Sequence, residues 1–141
     1  MKNYCLETEG ASIHYFTSQY HHGCHVTNLI KSDPSCCWFT SAYTPLPQHV
    51  VIKLSKPVSI EKLGIFLHGD NNQNPQEIKF HVSSDGANFN EVVYDTCEPR
   101  PGDFIWNVQR KNVQYVKYEI LENFGGSGAY TTQIYVYGQV E

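Results

Sequence analysis

The stretch "EIKFHVSSDGANFNEV", residues 77–92, decides how this chain folds. Ile78, Phe80 and Val82 alternate with Lys79 and His81. Successive side chains on a strand point to opposite faces, so the first half reads as a strand with one buried face. Asp85-Gly86 then supplies a turn, because glycine reaches positive φ without a steric penalty. "NFNEVVY" resumes as the returning strand. The segment is a β-hairpin, and Asp85 is read as a turn residue rather than a catalytic acid.

The same alternation extends in both directions. "HVVIKLS" sets Val50, Ile52 and Leu54 against Val51 and Lys53. "PVSIEKLGIFL" presents Val58 and Ile60, slips at Glu61-Lys62, and resumes with Leu63, Ile65 and Leu67. Such a slip marks a bulge or a bend, since one extra residue switches the buried face. "DFIWNVQ" aligns Phe104, Trp106 and Val108, and "YVKYEIL" aligns Val116, Tyr118 and Ile120. "QIYVYGQV" turns Ile134 and Val136 inward against Tyr135 and Tyr137, and "ASIHYFT" is an early strand. No 3.6-residue period is sustained; one helical turn at most is expected, near Val26–Ile30. The expected fold class is all-β, an antiparallel jelly-roll β-sandwich of about eight strands, with residues 1–141 forming one domain.

Composition fits that reading. A chain of 141 residues can bury a core without staples, and ten Tyr, seven Phe and seven Pro suit sheets and turns. Net charge is −4 with no basic run, so no nucleic-acid partner is expected. No run reaches about 18 apolar residues, so no membrane span is expected. "MKNYCLETEG" lacks an apolar leader core. With an odd count of five Cys, this makes reduced thiols and a cytoplasmic location the expectation.

"HHGCHVTNLIKSDPSCCW", residues 21–38, concentrates His and Cys. Structural zinc sites pair C-x(2–4)-C with H-x(3–5)-H, whereas Cys24 lies twelve residues before Cys36 and no C-x-x-C exists. Adjacent Cys36 and Cys37 would face opposite sides of a strand, and one of them is expected to fill the core. No nucleophile signature is present. The carboxylates Glu7, Glu9, Asp70, Asp95 and Asp103 are scattered. "FGGSG", residues 124–128, lacks the lysine of a phosphate loop and reads as a flexible connection. Catalytic residues and cofactors are therefore expected to be none, and the chain is not expected to be an enzyme.

Three pieces in order carry a family resemblance: "NLIKSDPSCCW", "PQHVVIKLSKPVSIEKLGI" and "EIKFHVSSDGANFNEV", the last with Phe89 where the family has Trp. Together with "VQYVKYEILEN" and "IYVYGQV", they resemble the discoidin domain, also called the coagulation-factor C-type or galactose-binding-like domain. "PLPQHVVIKL" and the "GQV" ending look most like intracellular members. These include the small jelly-roll subunit of the intraflagellar transport complex and the N-terminal domains of a centrosomal ciliary-tip protein and of the single-strand-break repair scaffold. The resemblance implies a non-enzymatic module docking a protein partner in a larger assembly, with the cilium or flagellum as a location. The alternative is a carbohydrate-binding lectin.

Many members hold calcium in the turn before the Trp. Here Lys31 stands where the family has a carboxylate, and Cys36 where it has Thr. Calcium wants several hard oxygens, so no metal is expected; the Lys31 ammonium could cap the same carbonyls instead. The resemblance also points to three ligand loops at one end, residues 18–23, 41–47 and 68–75. Their lectin-like candidates are Tyr20, His22, Tyr43, His68, Asp70, Asn71, Asn72 and Asn74. For a protein partner, the candidate is the outward sheet face carrying Tyr135, Tyr137 and Tyr115, since outward aromatics are favoured at interfaces.

Overall fold

The computed structural model describes residues 1–20 and 23–141. Among these described residues nine strands follow in order: β1 Lys2–Asn3, β2 Ser12–Phe16, β3 Trp38–Phe39, β4 Gln48–Leu67, β5 Pro75–Ser83, β6 Asn90–Thr96, β7 Gly102–Asn123, β8 Tyr130–Thr131 and β9 Gln133–Val140. The helical turn expected at Val26–Ile30 is a 3-10 turn over those residues, and another spans Glu7–Glu9. Every strand pairing is antiparallel.

Two strands are far longer than alternation suggested. "HVVIKLS" and "PVSIEKLGIFL" are both parts of β4, and "DFIWNVQ" and "YVKYEIL" are both parts of β7. Each bends from one layer of the sandwich into the other. The β4–β7 ladder is interrupted between Lys53 and Val58, where Pro57 has no N–H to contribute. β7 turns the same corner at Asn112, whose φ of 57° lies in the left-handed region that Asn tolerates. The slip read at Glu61-Lys62 appears as a register shift between Ile60 and Lys62.

One layer contains β2, the first half of β4, the second half of β7, β5 and β6. The other contains β1, β9, the second half of β4 and the first half of β7. The expected inward residues face each other between them. Ile52, Leu63, Ile65, Ile78, Phe80, Val116, Tyr118, Ile120, Ile134 and Val136 are fully buried. Each such large side chain contributes roughly 1.5–3 kcal/mol. Trp106 is the exception, half-buried at the margin: its ring lies 6.0 Å from Phe80 while its indole N–H donates to Asp95 Oδ2 at 2.8 Å.

This bending positions the site. Gln48 pairs with Ile120 and Leu67 with Gly102, so both ends of β4 lie at the same end of the sandwich, opposite the corner. Pro75 pairs with Asn123 and Phe66 with Gln133 there. Loops 40–47, 68–74 and 124–129 therefore emerge together. The short β3–β8 pairing, Trp38 with Thr131 and Phe39 with Tyr130, seals the base of this end. Trp38 is fully buried, 6.5 Å from the Tyr118 ring, and its indole N–H donates to the Ser18 carbonyl.

Candidate functional site

A cavity of about 490 Å³ opens at this end. Three of the loops named from sequence meet there, contributing Tyr20, Tyr43, and His68 with Asn71. His22, also a candidate, lies outside the described residues. Each wall has a local cause. The Tyr20 N–H donates to the Phe39 carbonyl at 2.8 Å and the two rings meet edge to face. His68 is exposed, with its ring against Tyr130 and Nδ1 bonded to the Thr132 hydroxyl at 2.7 Å. That bond fixes the ring and turns Nε2 away from Thr132.

Tyr43 stands apart. Its side chain is 89% exposed and its φ is 62°. A left-handed backbone costs a bulky L-residue about 1–2 kcal/mol. The conformation is held by its N–H donating to the Ser127 carbonyl at 2.7 Å. Strain of this kind gathers where structure around a binding surface over-determines one residue.

The remaining loop candidates separate into different roles. Asn74 is not a ligand-facing group: it is fully buried and braces its own loop, donating to the Gly69 carbonyl and accepting from the Asn71 N–H. Asp70 and Asn72 are exposed but do not line the cavity. The Asn72 carbonyl instead accepts from the N–H groups of Phe124 and Gly126.

Those bonds correct the reading of "FGGSG". The loop is a fitted wall rather than a loose connection. A side-chain carbon at Gly126 would lie 2.6 Å from Gln73 Cγ, and one at Gly128 would lie 2.7 Å from Thr40 Oγ1. Asn123 ties the turn with three bonds, to the carbonyls of Gly126 and Gly128 and from the Gly125 N–H. Ser127 and Tyr130 reach the cavity this way, and Gln73 and Phe39 join them. Sequence reasoning missed all four. Gln73 sat in a named loop, and Phe39 follows Trp38 and so faces the other way; Ser127 and Tyr130 gave no local signal.

Cys24 and Cys37 also line the cavity. Burial first, and then the neighbouring Cys24, push the Cys37 thiol up to about 12. Cys36 and Cys37 do part, as adjacent residues should: they precede β3, and Cys37 packs half-buried against the core while Cys36 turns to Asp33. The thiols that fill the core are Cys5 and Cys97. Cys36 donates to Asp33 Oδ2, and Asp33 Oδ1 accepts from the Ser35 N–H and hydroxyl. These bonds hold the Asp33 carboxyl below its ordinary range. Lys31 does not cap the turn: its side chain is exposed, and its carbonyl accepts from Gln133 Nε2. Among the described residues, no three His, Cys, Asp or Glu are placed to hold a metal ion, and no helix is long and apolar enough to cross a membrane.

The proposed aromatic face is not one surface. Tyr135 and Tyr137 pair with Gly64 and Lys62 in the layer of β9. Tyr115 pairs with Lys53 and Ser83 in the other layer, against the His14 ring. The bends of β4 and β7 put them on opposite outer faces. Tyr135 and Tyr137 stack at 5.3 Å, and the Tyr135 hydroxyl donates to Asp103 Oδ1 at 2.8 Å. Ile105 is 41% exposed beside them.

Several solved structures share this architecture. The C-terminal domain of a chitobiase from Bacteroides fragilis is 22% identical, with a TM-score of 0.82 over 93% of this chain and 95% of that one. The module CpGH89CBM32-5 from Clostridium perfringens, in complex with GalNAc-β-1,3-galactose, is 23% identical, with a TM-score of 0.83 over 94% and 99%. The family 32 CBM from C. perfringens NanJ, in complex with galactose, is 16% identical, with a TM-score of 0.82 over 96% and 98%. No curated protein matches significantly in sequence. The family model of the F5/8 type C domain matches residues 12–133, and the chain belongs to that family, the discoidin domains.

Proposed function

We propose that this chain is a non-enzymatic binding module that holds a neutral sugar in the cavity at its loop end. The observation that carries the reading is Tyr43, an exposed aromatic held in a strained conformation at the mouth of a cavity with hydrogen-bonding walls. A pyranose ring offers an apolar C–H face to an aromatic platform and hydroxyls to amides and imidazoles. Tyr20 and Tyr43 supply the first; His68, Asn71 and Gln73 supply the second. The cavity is within the usual size for small ligands, and among the described residues no Lys, Arg, Asp or Glu lines it, which favours an uncharged ligand. The sugars held by the two Clostridium perfringens relatives support the same class.

Titration of the isotopically labelled chain with galactose and N-acetylgalactosamine tests this. Saturable shifts at Tyr43, His68 and Asn71, with a Kd of about 1 mM or tighter, are expected. A spectrum unmoved by either sugar, together with a blank glycan array, would overturn it.

A second reading, docking of a protein partner in a larger assembly, is favoured by Ile105 exposed beside the stacked tyrosines. Ile105→Asp should then abolish a one-to-one complex recovered from native lysate while leaving sugar binding intact. Recovery of the same complex by the variant would remove this face from consideration.

A further inference from the structure

We propose that Cys24 and Cys37 form a redox-active dithiol, joined as an intramolecular disulfide on exchange with a small disulfide such as oxidised glutathione. Both are free thiols in this structure, and both line the loop-end cavity. Two backbone arrangements hold them together. One Asn28 side-chain nitrogen donates to the carbonyl of Cys37 at 2.8 Å and to that of Gly23, the neighbour of Cys24, at 2.9 Å. The Cys24 carbonyl accepts from the N–H of Phe39, two residues beyond Cys37. A disulfide needs its Cα atoms within about 7 Å and its side chains pointing together. These bonds hold the two segments side by side, and both cysteines face the same cavity. Cys36 turns away to Asp33, and the buried Cys5 and Cys97 are out of a reagent's reach.

The step balances as an exchange. The Cys24 thiolate attacks one sulfur of the small disulfide, breaking its S–S bond and releasing one small thiolate, which takes up the Cys24 proton. Cys37, kept protonated by its burial, reacts second. It loses its proton and attacks the Cys24 sulfur, and the second small thiol leaves. Two protein thiols are oxidised by two electrons, and the small disulfide is reduced to two thiols. None of this depends on a sugar occupying the cavity.

The test treats the intact chain with oxidised glutathione, then blocks free thiols with N-ethylmaleimide. Trypsin cleaves after Lys31, separating Cys24 from Cys37 unless they are linked. Fragmentation of the linked peptide in the mass spectrometer assigns the bond. The expected map joins Cys24 to Cys37, retains no glutathione on either, and shows maleimide on Cys36. Cys36→Ser should leave the bond unchanged, and Cys37→Ala should leave glutathione on Cys24. A bond to Cys36, stable glutathione on Cys24 of the unaltered chain, or maleimide on both Cys24 and Cys37 would each overturn the proposal.

Discussion

Tyr43 at the loop end and Tyr135 on the outer face of β9 stand in opposite situations. Tyr43 is exposed on a strained backbone and borders a cavity. Tyr135 is half-buried, stacked on Tyr137, with its hydroxyl already donated to Asp103. Burial and that carboxylate push the Tyr135 phenol well above its ordinary value, so it stays a neutral donor at physiological pH. Gly64 explains the tight fit: a side-chain carbon there would lie 2.6 Å from Ile105 Cδ1 and 3.2 Å from Tyr135 Cδ2. The sheet face has used its polar groups to hold itself together. The loop end uses Asn74, Asn123 and Thr40 for that purpose and leaves the Tyr43 side chain and the His68 ring exposed. An aromatic residue on a surface signals recognition only when its partners are not already inside the same chain.

That contrast can be broken most severely at its base. Trp38→Ala removes a fully buried indole under the loop end and should cost about 3–5 kcal/mol of stability in chemical denaturation. A loss below about 1 kcal/mol would mean the base of the loop end is not packed as described. Next is Asn74→Ala, which strands the Gly69 carbonyl and the Asn71 N–H. About 2 kcal/mol of stability should go. Sugar affinity should fall with it, because the His68–Asn71 wall loses its brace.

Tyr43→Ala separates binding from folding. Affinity for the sugar should drop about tenfold or more, near 1.4 kcal/mol, in calorimetric titration. Thermal stability should hold, and Tyr43→Gly should raise it, since glycine accepts positive φ. Equal affinity in the variant would move the platform to Tyr20. Tyr135→Phe is the mirror case: about 1 kcal/mol less stability, read by denaturation, with unchanged sugar affinity. The smallest effect is expected from calcium or a chelator, neither of which should move the thermal midpoint. Asp33 is the only carboxylate in the 31–37 turn, and its oxygens are occupied by Ser35 and Cys36.

The hairpin of residues 77–92 was legible because its information is local. Alternation names the buried face, and Asp85-Gly86 names the turn. In the folded chain Gly86 takes φ 80°, and Asp85 accepts the N–H groups of Ala87 and Asn88. Those bonds hold its carboxyl far below the ordinary range, as a turn residue rather than an acid. The loops that meet at the cavity were legible as a group only through the family resemblance, which supplied their order around the end. It could not sort their members, because Asn71 and Asn74 look alike in sequence and only packing buries one of them. The "FGGSG" wall was misread for a related reason. Glycine signals either freedom or a tight approach, and the neighbours at Gln73 and Thr40 decide which.

The sequence by itself determined most strand segments and most of their inward faces, the Asp85-Gly86 turn and, among the described residues, the absence of a long helix, since each depends on residues close along the chain. Tertiary structure decided where β4 and β7 bend. A bulge and a chain break interrupt alternation in the same way, and only the pairing partners distinguish them. From those bends follow the separation of Tyr115 from Tyr135 and Tyr137, and the meeting of the loops in one cavity. The approach of Cys24 to Cys37 belongs with them, because it rests on a carbonyl clamp from Asn28 that no spacing in the chain announces.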